Sequence, residues 1–426
     1  YLSHYRAAKT TVALTLGSPF DRWKRGVTVM LEKERGVNLV SKLRAILLME
    51  ADFNAANKMI FGNRMLSSVR ANSLMPEEIF SEKGCTAVDG TLAKVLFYDI
   101  SRQFRKPAAI ASVDASNCFD RICHAMTSLV FKSVGVPQSA VTAMLGAIAE
   151  MKFFLRTAFG DSEQFAGGGI EYKTRGMCQG NGAAPAASGV VSITILKAHN
   201  RRHSGASFLC PISATRKNVA GILFVDDTDL MHIDMTKPTL DTDIHYKMEA
   251  SIHNWGRLLL ATGGALKREK CSYTLISYAG DANSNWHYYD YSENDDFRMR
   301  VPAQDGRHQY IDHHPVSYAQ KTLGILTSPN GSNRHSCSTC VTENVSRGSS
   351  KTTQLAEYAN TVLATSRIRT RIQFRYLCGT LGGSEETLLQ HPPFVRCQPQ
   401  HSSQLPPITR GVLWGGAPTS GNRSNN

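Results

Sequence analysis

The chain has 426 residues, 42% of them hydrophobic and 19% charged, which is enough for two or three domains with sizeable cores. Its formal net charge of +13 points to a polyanionic partner, nucleic acid first and an anionic membrane surface second. No apolar run approaches the length needed to span a bilayer, and ten scattered cysteines lack the dense spacing of a secreted disulfide framework, so an intracellular setting, nucleus or cytoplasm, is expected. The first residue is Tyr rather than Met, and an excerpt of a longer product is expected.

Residues 26–31 read as a strand, and 37–48 mix strand-like apolar residues with Lys42 and Arg44. From 50 to about 69 the pattern turns helical through Phe53, Ala56, Met59, Ile60 and Met65, and 87–103 carry a second helical stripe. Residues 109–113 form a short apolar strand that ends on Asp114. A helix over 119–134 is closed by Gly135 and followed by Pro137, after which another stripe runs from Val141 to Met151. A Gly-rich piece at 165–170 reads as a turn between strands, and a loop at 174–185 feeds an apolar helix at 186–198. Residues 221–232 read as a β-hairpin with Asp226 and Asp227 at its tip.

A helix over 240–261 is ended by Gly263 and Gly264, and Lys267 to Lys270 precede a strand at 272–277. Residues 279–318, rich in Asp, Asn, Tyr and His, read as an insertion or long loop, with a short apolar element after them at 321–326. The Ser, Asn and Gly of 329–352 read as a linker, 353–390 look helical and basic, and the Pro, Gly, Ser and Asn of the end read as a disordered tail.

Adjacent carboxylates at a hairpin tip are more often turn chemistry than catalysis, because Asp bonds its own backbone. Asp114 changes that balance. Two buried strands side by side, each delivering acid at one end, would gather three carboxylates that repel unless protons or cations intervene. Such an oxygen-rich cluster suits Mg²⁺, with Mn²⁺ as a substitute.

Val113-Asp-Ala-Ser-Asn-Cys-Phe-Asp-Arg121, Gly176-Met-Cys-Gln-Gly-Asn-Gly-Ala-Ala-Pro185, Phe224-Val-Asp-Asp227, Gly264-Ala-Leu-Lys-Arg-Glu-Lys-Cys271 and Lys321-Thr-Leu-Gly-Ile325 follow one another in that order. This series resembles the five palm motifs of reverse transcriptases, most closely those of non-LTR-type retroelements, over about residues 26 to 330. The resemblance implies an α+β right-hand polymerase with an antiparallel palm sheet. Fingers would begin in 1–108, palm would occupy 109–124 and 174–278, and fingers and palm helices would lie in 125–173. An insertion loop at 279–318, a primer-grip-like element at 319–330, a linker at 331–352, a helical thumb-like region at 353–392 and a tail at 393–426 would complete the chain.

The implied activity is RNA-directed DNA synthesis by two-metal nucleotidyl transfer, with an RNA template, a DNA primer and dNTPs as partners. Asp114 and Asp226 are implied as principal metal ligands, Asp227 as an adjacent ligand or charge partner, and Asp229 as a strand or turn residue. Phe119 would exclude a ribose 2′-hydroxyl and favour deoxynucleotides, although by position alone it also suits a core Phe at a strand end. Asp120 reads as structural. Gln179 and Gly180 suit a loop that closely approaches the incoming nucleotide; Cys178 and Asn181 depart from the family's usual Pro and Ser there. Lys270, or else Lys267, would neutralise pyrophosphate, and Arg44 with Lys33 and Lys42 matches the segment that holds the triphosphate. An RNA-directed RNA polymerase is one alternative, disfavoured by Phe119 and Val225; an inactive nucleic-acid-binding remnant is another. Cys337 and Cys340 could seed a zinc knuckle or remain free thiols.

Overall fold

The computed structural model describes residues 1–332 apart from 34, 35, 38, 40, 41, 117, 169–173, 210–214 and 303–307. The linker, the thumb-like region, the tail and the Cys337/Cys340 pair lie outside the described residues.

The chain opens with a helix that the sequence reading did not anticipate, α1 (Leu2–Leu16), closed by Gly17 at φ 70. A short turn then places Trp23, fully buried, in a stack on Phe53 with ring centroids 5.2 Å apart. Strands β1 (Arg25–Glu32) and β2 (Leu43–Met49) follow at the expected places. The helical stretch after them is α2 (Ala51–Asn57), a π-helical segment over Lys58–Met65 and α3 (Leu66–Ala71). Helix α4 (Ala87–Phe104) starts on a capping box in which Thr86 and Asp89 satisfy each other's backbone N–H groups.

Strand β3 (Ala108–Asp114) is buried on both faces. The helix expected over 119–134 is broken into α5 (Cys118–Arg121) and α6 (His124–Ser133). Between them Cys123 adopts an extended backbone and donates its N–H to Thr262 O at 2.9 Å. Tertiary pairing overrides helical periodicity there. Then come α7 (Gln138–Ala149), β4 (Lys152–Thr157), β5 (Gly160–Asp161), β6 (Ala166–Gly167) and α8 (Ala184–Asn200).

Strands β7 (Ala206–Leu209) and β8 (Arg216–Val219) precede the expected hairpin, which is β9 (Gly221–Phe224) and β10 (Asp227–Asp234). Helix α9 (Asp241–Ala261) leads to β11 (Ser272–Gly280). The stretch read as an insertion or long loop carries β12 (Trp286–Tyr289), β13 (Arg300–Pro302), β14 (His308–Tyr310) and β15 (Asp312–His313). The apolar element at 321–326 is a hairpin of β16 (Gln320–Thr322) and β17 (Ile325–Thr327).

Two sheets organise these elements. The first runs β2-β1-β4-β5 with β6 on β4, and β1–β4 is a parallel pair. The central sheet runs β12-β11-β3-β10-β7-β8, with β9 on β10 and β15 on β11. It was expected to be antiparallel and is mixed, because β7 joins β10 and β15 joins β11 in parallel. Strands β12 and β15 are contributed by the stretch whose polar composition concealed them.

Alternation along β3 separates two cores. Ala109, Ala111 and Val113 pack with α8 and α9 residues such as Val190, Met248 and Ile252, whereas Ala108 and Ile110 pack with Phe97 and Tyr98 of α4. The central sheet is therefore covered on both faces, which is why β3 reads as a continuous apolar run. Phe61 in the π-helical segment stacks on Phe131 of α6 at 5.5 Å, both fully buried. Phe131→Ala is expected to cost about 3–5 kcal/mol of stability, read as a lower urea midpoint at unchanged slope.

Candidate active site

The tip of the β9–β10 hairpin is a two-residue turn, Val225-Asp226, closed by the Phe224–Asp227 pair. Val225 sits at φ 59, a conformation that a β-branched side chain adopts only at a cost of roughly 1–3 kcal/mol. Strain is thus stored at the residue that presents the two carboxylates. Antiparallel pairing of β10 with β3 sets Asp227 opposite Asp114, Thr228 opposite Val113 and Asp229 opposite Ser112. Directly opposed residues share a face, with Cβ atoms about 4.5–5.5 Å apart. Register places Asp227 rather than Asp226 across from Asp114, and Asp226 occupies the turn beside them.

The charges show the consequence. Asp226 and Asp227 reach solvent, yet the protein around their carboxyl groups withholds enough water to raise both above the ordinary range. Repulsion from Asp114 adds to this in Asp226, and repulsion from Asp226 and Asp114 helps push Asp227 to about 6. Two cations oppose it. Lys270 Nζ lies 2.9 Å from Asp114 Oδ2, a contact that raises the lysine's own pKa, and Arg44 of β2 favours the charged form of Asp226. Lys267 donates its backbone N–H to Asp114 O at 2.8 Å, while the ammonium paired with the Asp114 carboxylate is that of Lys270.

Among the described residues, no three His, Cys, Asp or Glu side chains converge into a set that could hold a metal ion on its own. The three carboxylates are near enough to repel one another without forming such a set. Mg²⁺ is nonetheless commonly bound by one or two carboxylates together with substrate phosphates and water, and it demands hard oxygen donors. The opposed pair Asp114 and Asp227, with Asp226 adjacent, fits a cation shared with a phosphate-bearing substrate. The ammonium of Lys270 fills that position on Asp114.

The loop at 176–182 is tied between α5 and β2. Met177 N donates to Phe119 O at 2.8 Å, Gln179 N to Asp120 Oδ1 at 3.2 Å, and Leu47 N to Gln179 O at 2.8 Å. Asp120, expected to be structural, accepts from this loop. Gly180 has φ +114, and a Cβ there would stand 2.2 Å from Leu47 O, so only Gly lets the loop lie this close to β2. Phe119 and Gln179 are half-buried and Gly180 is exposed, and Phe119 also packs against the core.

Other residues of this region went unnoticed in the sequence. Asn54 bonds Gly180 O and Gly182 N at 3.1 and 2.6 Å, and Asn57 bonds Asn181 within the core at 3.1 Å. Two asparagines three residues apart on an otherwise apolar helical face were the available signal. Asp229, read as a strand or turn residue, forms a buried ion pair with Lys94 at 3.0 Å.

No family model matches the chain, and no curated protein does. Solved structures are similar to it. Apo telomerase from Candida tropicalis, truncated from its C-terminal domain, is 13% identical with a TM-score of 0.39, over 64% of this chain and 56% of that one. Telomerase from Candida tropicalis with the TWJ fragment of telomeric RNA is 13% identical with a TM-score of 0.37, over 67% and 45%. Telomerase from Candida albicans with the same kind of fragment is 10% identical with a TM-score of 0.38, over 63% and 45%. The chain spans about half the length of these structures.

Asp227 titrates near 6 when folded, above its unfolded value, so the folded state holds that proton more tightly. The stability this lends is complete below about pH 4 and is lost as pH rises through 6. A Mg²⁺ ion at these carboxylates would relieve the resulting repulsion only once the proton has left. Its addition should raise Tm by a few degrees at about pH 7.5 and by much less at about pH 5. Equal shifts at both pH values would contradict the site.

Proposed function

We propose that the chain is an RNA-directed DNA polymerase, a reverse transcriptase of a non-LTR-type retroelement, extending a DNA primer on an RNA template with dNTPs. The observation that carries this reading is the β10–β3 register, which opposes Asp227 and Asp114 beside the strained Val225-Asp226 turn. The order of the five sequence motifs supports it, as does the positive charge of the whole chain. On this reading the first sheet belongs to the fingers and the central sheet to the palm.

Asp114, Asp227 and Asp226 would hold Mg²⁺, which supplies a lowered pKa for the primer 3′-hydroxyl and charge neutralisation for the departing pyrophosphate. Lys270, which pairs with Asp114, would neutralise or protonate that pyrophosphate. Arg44 offers a guanidinium fork to the triphosphate from the β2 side. Gln179 and Gly180 present a close-lying loop to the nucleotide, and the Phe119 ring takes the space that a ribose 2′-hydroxyl would need.

Extension on poly(rA) with dTTP and Mg²⁺ tests the reading. Asp227→Asn and Asp114→Asn should each lower turnover by on the order of 10²–10³, and Phe119→Ala should raise ribonucleotide incorporation. A folded parent that binds RNA without extending a primer would favour the inactive remnant instead. A parent that prefers ribonucleotides would favour the RNA polymerase.

A further inference from the structure

Two residues below the opposed Asp114 and Asp227, on the same face of the sheet, lies a second opposed pair, Ser112 and Asp229. Asp229 accepts a hydrogen bond from Ser112 Oγ and pairs with the ammonium of Lys94, whose side chain is 0% exposed while that of Asp229 is 8% exposed. Lys94 Nζ also donates to Thr322 Oγ1 at 2.8 Å and to Gln320 Oε1 at 3.4 Å. Gln320 in turn donates to Ser272 Oγ at 3.1 Å, and Ser272 is the β11 neighbour of Ser112. The ring closes on itself. One buried ammonium thereby ties β10, β3, β11 and the β16–β17 hairpin to α4.

Neighbouring turns of α4 extend the same seam. Thr91 Oγ1 donates to Thr322 O at 3.4 Å, and Gly90 leaves room for Leu323 and Ile222, whose side-chain atoms would lie 3.2 and 3.4 Å from a Cβ there.

Desolvating an ion pair this deeply costs as much as its attraction returns, so apolar residues of similar volume would hold the fold equally well. What a buried pair supplies beyond that is a unique register. Register matters acutely here, because slipping β10 by one residue against β3 would turn Asp227 to the other face of the sheet.

We propose that Lys94 is a positioning residue that, through Asp229, locks the register of β10 against β3 and so keeps Asp227 opposite Asp114. The lock rests on the polymerase reading only for its catalytic consequence.

The test replaces the pair with apolar residues, Lys94→Met with Asp229→Leu, in the full chain. Hydrogen exchange read by mass spectrometry should show protection at the Asp227–Leu230 amides falling at least about tenfold while Tm stays near the parent's. Primer-extension kcat should fall with it. Unchanged protection in the folded double variant would overturn the lock. If the double variant does not fold, Thr322→Val removes one partner of the ammonium, and about threefold loss of protection at the same amides is expected; none would overturn the proposal. A parent that extends no primer would remove the polymerase reading, while the exchange experiment would still decide the lock.

Discussion

Opposition of like charges across one antiparallel strand pair is the constraint on which the site depends. Backbone hydrogen bonds between β3 and β10 set Asp114 and Asp227 face to face whatever their charge. The rest of the region is an answer to that repulsion. Lys270 sits on Asp114, Arg44 reaches the field of Asp226, and burial shifts part of the cost into raised proton affinity of Asp226 and Asp227. Each answer is partial, because burial and mutual repulsion still raise the proton affinity of Asp226 and Asp227 against both cations.

The two faces of the central sheet are covered by different elements. Helices α8 and α9 pack one face of the central sheet with apolar side chains, and His199 of α8 bonds Ser251 and Asn254 of α9 within that layer. On the other face, α4 brings a polar seam through Lys94 and Tyr98 beside Phe97. Hydrogen bonds are directional where apolar burial is not.

Elements with strong periodicity or terminal signals were legible in the sequence. The β9–β10 hairpin, α4, α7 and α9 stand near where apolar spacing placed them, and Gly135 does close a helix, at φ 85. What escaped depends on partners remote in sequence. The break between α5 and α6 is set by Thr262, more than a hundred residues away, and the strands β12 and β15 exist because β11 offers open edges to polar segments. Lys94 was not singled out in the sequence, where nothing local sets it apart; its partners Asp229 and the hydroxyl of Thr322 lie far along the chain.

The loop at 176–182 is held between β2, α2 and α5, and Cys178 and Asn181 both take part in how it is held. Cys178 is buried at φ 63, and Asn181 turns inward to bond Asn57 and the loop's own backbone at Met177 and Ala183. Rigidity that a proline ring would supply covalently is supplied here by a network of amide groups anchored in α2. The close approach to Leu47 still requires Gly180, since no hydrogen bond can make room for a Cβ. Stiffness in such a loop can come from several side chains, whereas its proximity to β2 can come from only one.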